Sequence, residues 1–143
     1  MDAAGVDRPT ALVCGERAVL LREAALTLAE RGYDVHLPQE LTTGLDPSGR
    51  WRRRLHPAED AERALLAAVV GRARPLEVAV LDRAEPSVAR AVTVLQGLNG
   101  RGRVLELRRP RWWHRAPRAL DVLYVATQRR RVVRALHAVA PRA

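Results

Sequence analysis

The sequence predicts a three-layer α/β sandwich: a mostly parallel sheet of five or six strands with helices on both faces. Three observations carry this. Short apolar runs of strand length alternate with longer stretches of helical periodicity along the 143 residues. Gly and Pro stand at the joints between them. The first three elements read strand, helix, strand with tight connections, the unit from which parallel sheets are built.

ALVCG at 11–15 is a buried strand ending in Gly. A helix over 17–31 follows, with Leu21, Ala25 and Leu28 on one face and Gly32 as its C-cap. YDVHLP at 33–38 alternates apolar and polar and stops at Pro, a second strand. Residues 39–50 hold Gly44, Asp46, Pro47, Ser48 and Gly49 and read as a loop. WRRRL at 51–55 reads as a short edge strand, and Pro57 as the first position of a helix whose core stripe is Ala61, Leu65, Ala68 and Val69. Glu59, Asp60 and Glu62 suit the positive end of that helix. LEVAVL at 76–81 is the next buried strand, and Pro86 opens a helix with Val88, Ala91, Val92 and Leu95 inward. The GLNGRG segment at 97–102 closes that helix, and VLEL at 104–107 is a further strand. RRPRWWHRAPR at 108–118 is a basic loop and LDVLYVA at 120–126 a last strand. A final helix over 128–139 presents Val132, Val133, Leu136 and Val139. The whole is one Rossmann-like domain, 1–143, with residues 1–9 expected to be flexible. Ligands of such folds bind along the edge formed by the loops that follow the strands.

Composition narrows the chemistry. All 25 Lys+Arg positions are arginine, and Ile and Phe are absent as well. Lys, Ile and Phe share AT-rich codons, so their joint loss points to a high-GC bacterial genome. It also inflates arginine, which weakens the net charge of +9 as a sign of a polyanion partner. Without lysine there is no Schiff-base amine, no phosphate-gripping ammonium and no Tyr/Lys proton relay. Arginine cannot serve as a base, because its guanidinium stays protonated. The single Cys14 excludes an intramolecular disulfide and a cysteine zinc cluster. Its place near a helix N-terminus is one where thiols can be activated, but no His or Asp motif accompanies it, so it reads as a buried inert thiol. His36, His56, His114 and His137 show no metal spacing. No apolar run approaches the ~20 residues that cross a bilayer, and MDAAGVDRPT lacks a signal-peptide pattern. A cytoplasmic protein without membrane insertion is expected.

The first loop, Cys14-Gly15-Glu16-Arg17, stands where a dinucleotide-binding fold carries G-x-G-x-x-G. Only Gly15 is kept, Glu16 adds a negative charge, and Arg17 offsets it. ALVCGERAVLLREAALTLAERGYDVHLP resembles the opening βαβ unit of short-chain dehydrogenase/reductases, and HPAEDAERALLAAVVGRARPLEVAVLDRA is similar to their next helix and central strand. The resemblance covers roughly residues 10–107. It implies a Rossmann sheet and an NAD(P) site including Gly15, Glu16, Arg17 and Asp82. The chain departs from the family where the chemistry lies. Leu81-Asp82-Arg83-Ala84 stands for Asn-Asn-Ala-Gly, and Tyr124 is followed four residues later by Gln128, where the family has Lys. A weaker resemblance is to response-regulator receiver domains, on Asp82-Arg83-Ala84-Glu85-Pro86, whose D-x-x-x-P spacing implies a phosphoacceptor at Asp82. There the acidic pair after the first strand is replaced by Cys14-Gly15, and Ala126 or Thr127 stands for the lysine.

Arg108, Arg109, Arg111, Arg115 and Arg118 surround Trp112 and Trp113, a combination that can fork phosphates and stack bases. Arg129, Arg130, Arg131 and Arg134 follow in the last helix, three of them consecutive at its N-terminus against the helix dipole. The sequence therefore predicts a non-catalytic binding or regulatory module, a pseudoenzyme that engages a protein partner or a nucleotide-like anion at the strand C-terminal edge. The alternatives are an NAD(P)- or nucleotide-using oxidoreductase-like protein and a nucleic-acid binder acting through 108–118. If that loop grips a polyanion, DNA or RNA affinity measured by fluorescence anisotropy falls steeply between low and moderate salt. Replacing Arg108, Arg109 and Arg111 by Ala then removes the salt dependence, and absence of binding at low salt excludes this role.

Overall fold

The computed structural model describes residues 8–16, 18–70, 76–99, 103–106 and 130–138. Its strands are β1 (Thr10–Gly15), β2 (Asp34–Pro38), β3 (Leu55–Ala58), β4 (Leu76–Asp82) and β5 (Arg103–Glu106). Its helices are α1 (Ala18–Glu30), α2 (Ala61–Val69), α3 (Pro86–Asn99) and α4, residues 130–138. The five strands form one sheet in the order β3-β2-β1-β4-β5, and every pairing is parallel. This is the Rossmann-like α/β arrangement.

β1 and β4 are central because they are apolar on both sides. Alternate residues of β1 feed two separate cores. Ala11 and Val13 join Val35, Leu37, Val78 and Val80 beneath α1 and α4, whereas Leu12 and Cys14 join Ala79 and Leu81 beneath α2 and α3. Leu76 packs with the second group although Val78 packs with the first. A register shift between Thr10 and Ala11 accounts for the break in alternation, since Thr10 pairs with Leu76 but Ala11 with Val78.

In the absence of Phe and Ile the cores are filled by Leu, Val and Ala. Helix α1 buries Leu20, Leu21, Ala24, Ala25, Leu28 and Ala29, and its alanines let the backbone come close to the sheet. It ends in a Schellman motif. Gly32, at φ 99°, donates its N–H to the Ala29 carbonyl, and Tyr33 donates to that of Leu28. Helix α4 contributes the buried Val132 and Leu136 to the same core, and His137 Nδ1 lies 2.7 Å from Arg31 Nη1 at the end of α1. Because an arginine only donates, that nitrogen accepts.

The expected strand at 51–55 is displaced. Residues 51–54 form turns, and the edge strand is Leu55–Ala58. Pro57 lies within it and does not start a helix. A strand with a neighbour on one side only tolerates the missing N–H. Helix α2 begins at Ala61 instead, because Asp60 caps it. The Asp60 carboxylate accepts from the Arg63 N–H at 2.9 Å. The inward residues of α2 are Ala64, Leu65 and Ala68, with Ala61 and Val69 partly buried. Val88 and Val92 of α3 are buried, and Ala91 and Leu95 are partly so. The expected loop 108–118, the strand 120–126 and Val139 lie outside the described residues. No helix among the described residues is long and apolar enough to cross a membrane.

Replacing Asp60 by Ala leaves an orphan N–H at α2 and is expected to lower stability by about 0.5–2 kcal/mol. Urea unfolding followed by circular dichroism measures this as a lower midpoint with an unchanged slope.

Candidate functional site

The chain leaves β1 towards β2 on one side of the sheet and returns to β4 on the other, so the crevice beyond the C-terminal ends of β1 and β4 is the topological switch point. Gly15 and Asp82, the last residues of the two strands, are partners across it. Gly15 has φ 143°, and a Cβ there would stand 2.0 Å from the Asp82 carbonyl oxygen. Only glycine fits. The next peptide group closes the turn, with the Glu16 N–H donating to the same Asp82 carbonyl at 2.9 Å. The glycine thus brings the first loop against β4, and the first N–H of the loop is used within the protein.

Three acidic residues, Glu16, Asp82 and Glu85, lie along this edge. Asp82 is fully buried. Glu16 is exposed and lies 3.7 Å from the Arg83 guanidinium. Arg83 is held at φ 52°, the one non-glycine with positive φ among the described residues and a conformation that side chains disfavour. Cys14 is buried beneath the same edge. Burial, with a smaller contribution from the Glu85 carboxylate, pushes its thiol from 9.0 up to about 12. At neutral pH it is a protonated, apolar-like side chain. Glu16 and Glu85 are thus the exposed carboxylates of this edge, and Glu16 lies beside the Arg83 guanidinium. Arg17 lies outside the described residues.

The other expected surface is described only in part. Arg108, Arg109, Arg111, Trp112, Trp113, Arg115, Arg118 and Arg129 lie outside the described residues, whereas Arg130, Arg131 and Arg134 are exposed on α4.

Sequence reasoning missed a second polar group, at the β2–β3 edge. Thr10, Asp34 and His36 occupy positions that alternation turns to the α2 side, and all three are buried. Asp34 Oδ1 lies 3.2 Å from His56 Nε2 and 3.7 Å from Arg8 Nη1. The rings of His36 and His56 stack with centroids 4.9 Å apart and planes at 19°. Parallel register brings them together, since His36 is paired with His56. The shared parity of Asp34 and His36 in one strand was visible in DVHLP, but the third member needed the register of β3. Among the described residues no group of three or more His, Cys, Asp or Glu is placed to hold a metal ion.

Comparison with protein families, with curated proteins and with solved structures finds no match for this chain.

The Cys14 thiol is expected to resist alkylation by iodoacetamide in the folded protein at neutral pH and to react fully once the chain is unfolded, read by intact mass. Stability should respond at alkaline pH. Below pH 9.0 folded and unfolded chains both hold the proton. From there towards about 12 only the unfolded chain releases it, so stability falls across that window. A Cys14→Ala chain should lack this part of the alkaline loss.

Proposed function

We infer that this chain is a non-catalytic Rossmann-like binding module whose recognition edge is the crevice beyond β1 and β4, and that it engages a protein partner presenting a basic or amide-rich segment. The observation that carries the reading is the pair of exposed carboxylates, Glu16 and Glu85, at this edge of a basic chain, with Arg83 beside Glu16. A phosphate approaching that edge meets carboxylates, whereas an arginine or a backbone amide meets acceptors. The chemistry of the resembled reductases is missing from the sequence, since there is no lysine for a Tyr-x-x-x-Lys pair. The Cys14 thiol, held in its protonated form, supplies no nucleophile at neutral pH.

A second reading, a nucleotide-like anion such as NAD(P) at the same crevice, is favoured by the strand order, which places a switch point where dinucleotides bind in related architectures. One pair of measurements separates the two. Affinity capture from the source cell, quantified by mass spectrometry for wild type against Glu16→Gln/Glu85→Gln, is expected to lose specific proteins with the variant. Addition of NAD⁺, NADP⁺ or ATP is expected to leave Tm unchanged. A rise of several degrees that grows with nucleotide concentration overturns the partner reading in favour of the nucleotide, because a ligand at a hundred times its Kd adds about 2.7 kcal/mol to stability.

A further inference from the structure

The loop joining β2 to β3 is folded, and it borders an open cavity lined by none of the crevice residues described above. A 3₁₀ turn at Gln39–Leu41 starts it. Leu41 and Leu45 anchor it in the core beneath α1, and Trp51 packs against the same core. Arg22 of α1 donates from Nη2 to the Thr43 carbonyl at 2.8 Å. The Asp46 carboxylate accepts from the Trp51 N–H at 2.9 Å, and the Asp46 carbonyl accepts from Gly49 at 3.0 Å. Gly44 and Gly49 take positive φ at the two bends, and a Cβ on Gly49 would meet only open space. Between this loop and the edge strand β3 lies a cavity of about 470 Å³, within the size range of small-ligand sites.

Its lining has an apolar part and two charges. Leu45, Pro47, Leu55 and Pro57 supply the apolar surface, and Asp46 and Arg52 are the charged lining residues. The two charges are not equivalent. Asp46 is tied into the loop through Trp51. Among the described residues the Arg52 guanidinium has no ion-pair or hydrogen-bond partner, although Arg54 donates from Nη1 to the Ala29 carbonyl and Arg50 and Arg54 lie over the Trp51 ring. The lining thus carries one charge of each sign, and the Arg52 guanidinium is the one left without a hydrogen-bond or ion-pair partner among the described residues, beside hydrocarbon.

We propose that this cavity is a binding site for a small amphiphilic carboxylate, its hydrocarbon body against Leu45, Leu55 and the two prolines and its carboxylate on the fork of Arg52. A guanidinium donates to both carboxylate oxygens at once, and the apolar surface beside it receives the hydrocarbon body. The site is independent of the crevice at β1 and β4, and either assignment can fail without the other.

The test uses octanoate and 1-octanol, which share a body and differ in the head group, titrated into ¹⁵N-labelled protein. Octanoate is expected to shift the amides of Gly44, Leu45, Gly49 and Arg52 saturably and to bind five- to tenfold tighter than octanol, about what one charge-assisted contact at a partly exposed site supplies. Arg52→Ala, an exposed substitution, should abolish that preference and leave octanol binding in place. Arg53→Ala, which changes an exposed neighbour outside the lining, should leave the preference intact. The proposal is overturned if octanoate produces no saturable shift at these amides up to its solubility limit. It is overturned equally if octanoate and octanol bind alike, or if Arg53→Ala abolishes the preference as fully as Arg52→Ala.

Discussion

The Asp82 carbonyl occupies the place where a side chain on Gly15 would have to go. This close approach at the ends of β1 and β4 sets the middle of the sheet. It lets the two central strands run in register to their last residues, and it turns the chain out of β1 directly into α1. The same contact decides the character of the crevice. The Glu16 N–H closes the turn onto Asp82, so where the loop in dinucleotide folds opens its amides to a phosphate, its first amide is here turned onto the neighbouring strand β4. The exposed carboxylate of Glu16 stands at the crevice in its place, while Asp82 is buried.

Composition shapes the packing around that centre. With no Phe or Ile and few aromatic residues, the largest fully buried side chains are leucines and valines of the strands and helices. Leu41, Leu45 and Trp51 of the β2–β3 loop and Val132 and Leu136 of α4 complete the core under α1. The loop is thus a structural wall as well as the border of a cavity, and its arginines divide accordingly. Arg54 holds a helix carbonyl and covers Trp51 with Arg50, whereas Arg52 borders the cavity without a partner among the described residues.

Legibility in the sequence followed burial. β1 and β4 were readable as mainly apolar runs, broken in β4 by Glu77 near its start, because strands covered on both faces need them. β3 was misplaced because it is an edge strand, half-buried, with a proline inside it, so its pattern is weak and the proline resembles a helix start. The N-cap that begins α2 was written three residues later, at Asp60, among acids that looked interchangeable until one of them met an N–H. Of the candidate ligand edge, Gly15 and Asp82 were legible as the ends of buried strands. The stacking of His36 on His56 beside Asp34 was not, because it joins strands through a register that no local pattern encodes.

By itself the sequence determined the fold class, the placement of the central strands and their helices, and the absence of any amine or paired thiol from the chemistry. Those are properties of single segments or of composition, and periodicity and residue counts carry them without reference to neighbours. Only the tertiary structure decided that Gly15 serves a backbone contact, that Glu16 and Arg83 meet at the ends of β1 and β4, that two histidines twenty residues apart share one face, and that a loop rich in glycine and arginine borders a cavity. Each of these depends on which strands lie side by side and on where a backbone turns. Those are long-range choices, made by the packing of the whole chain.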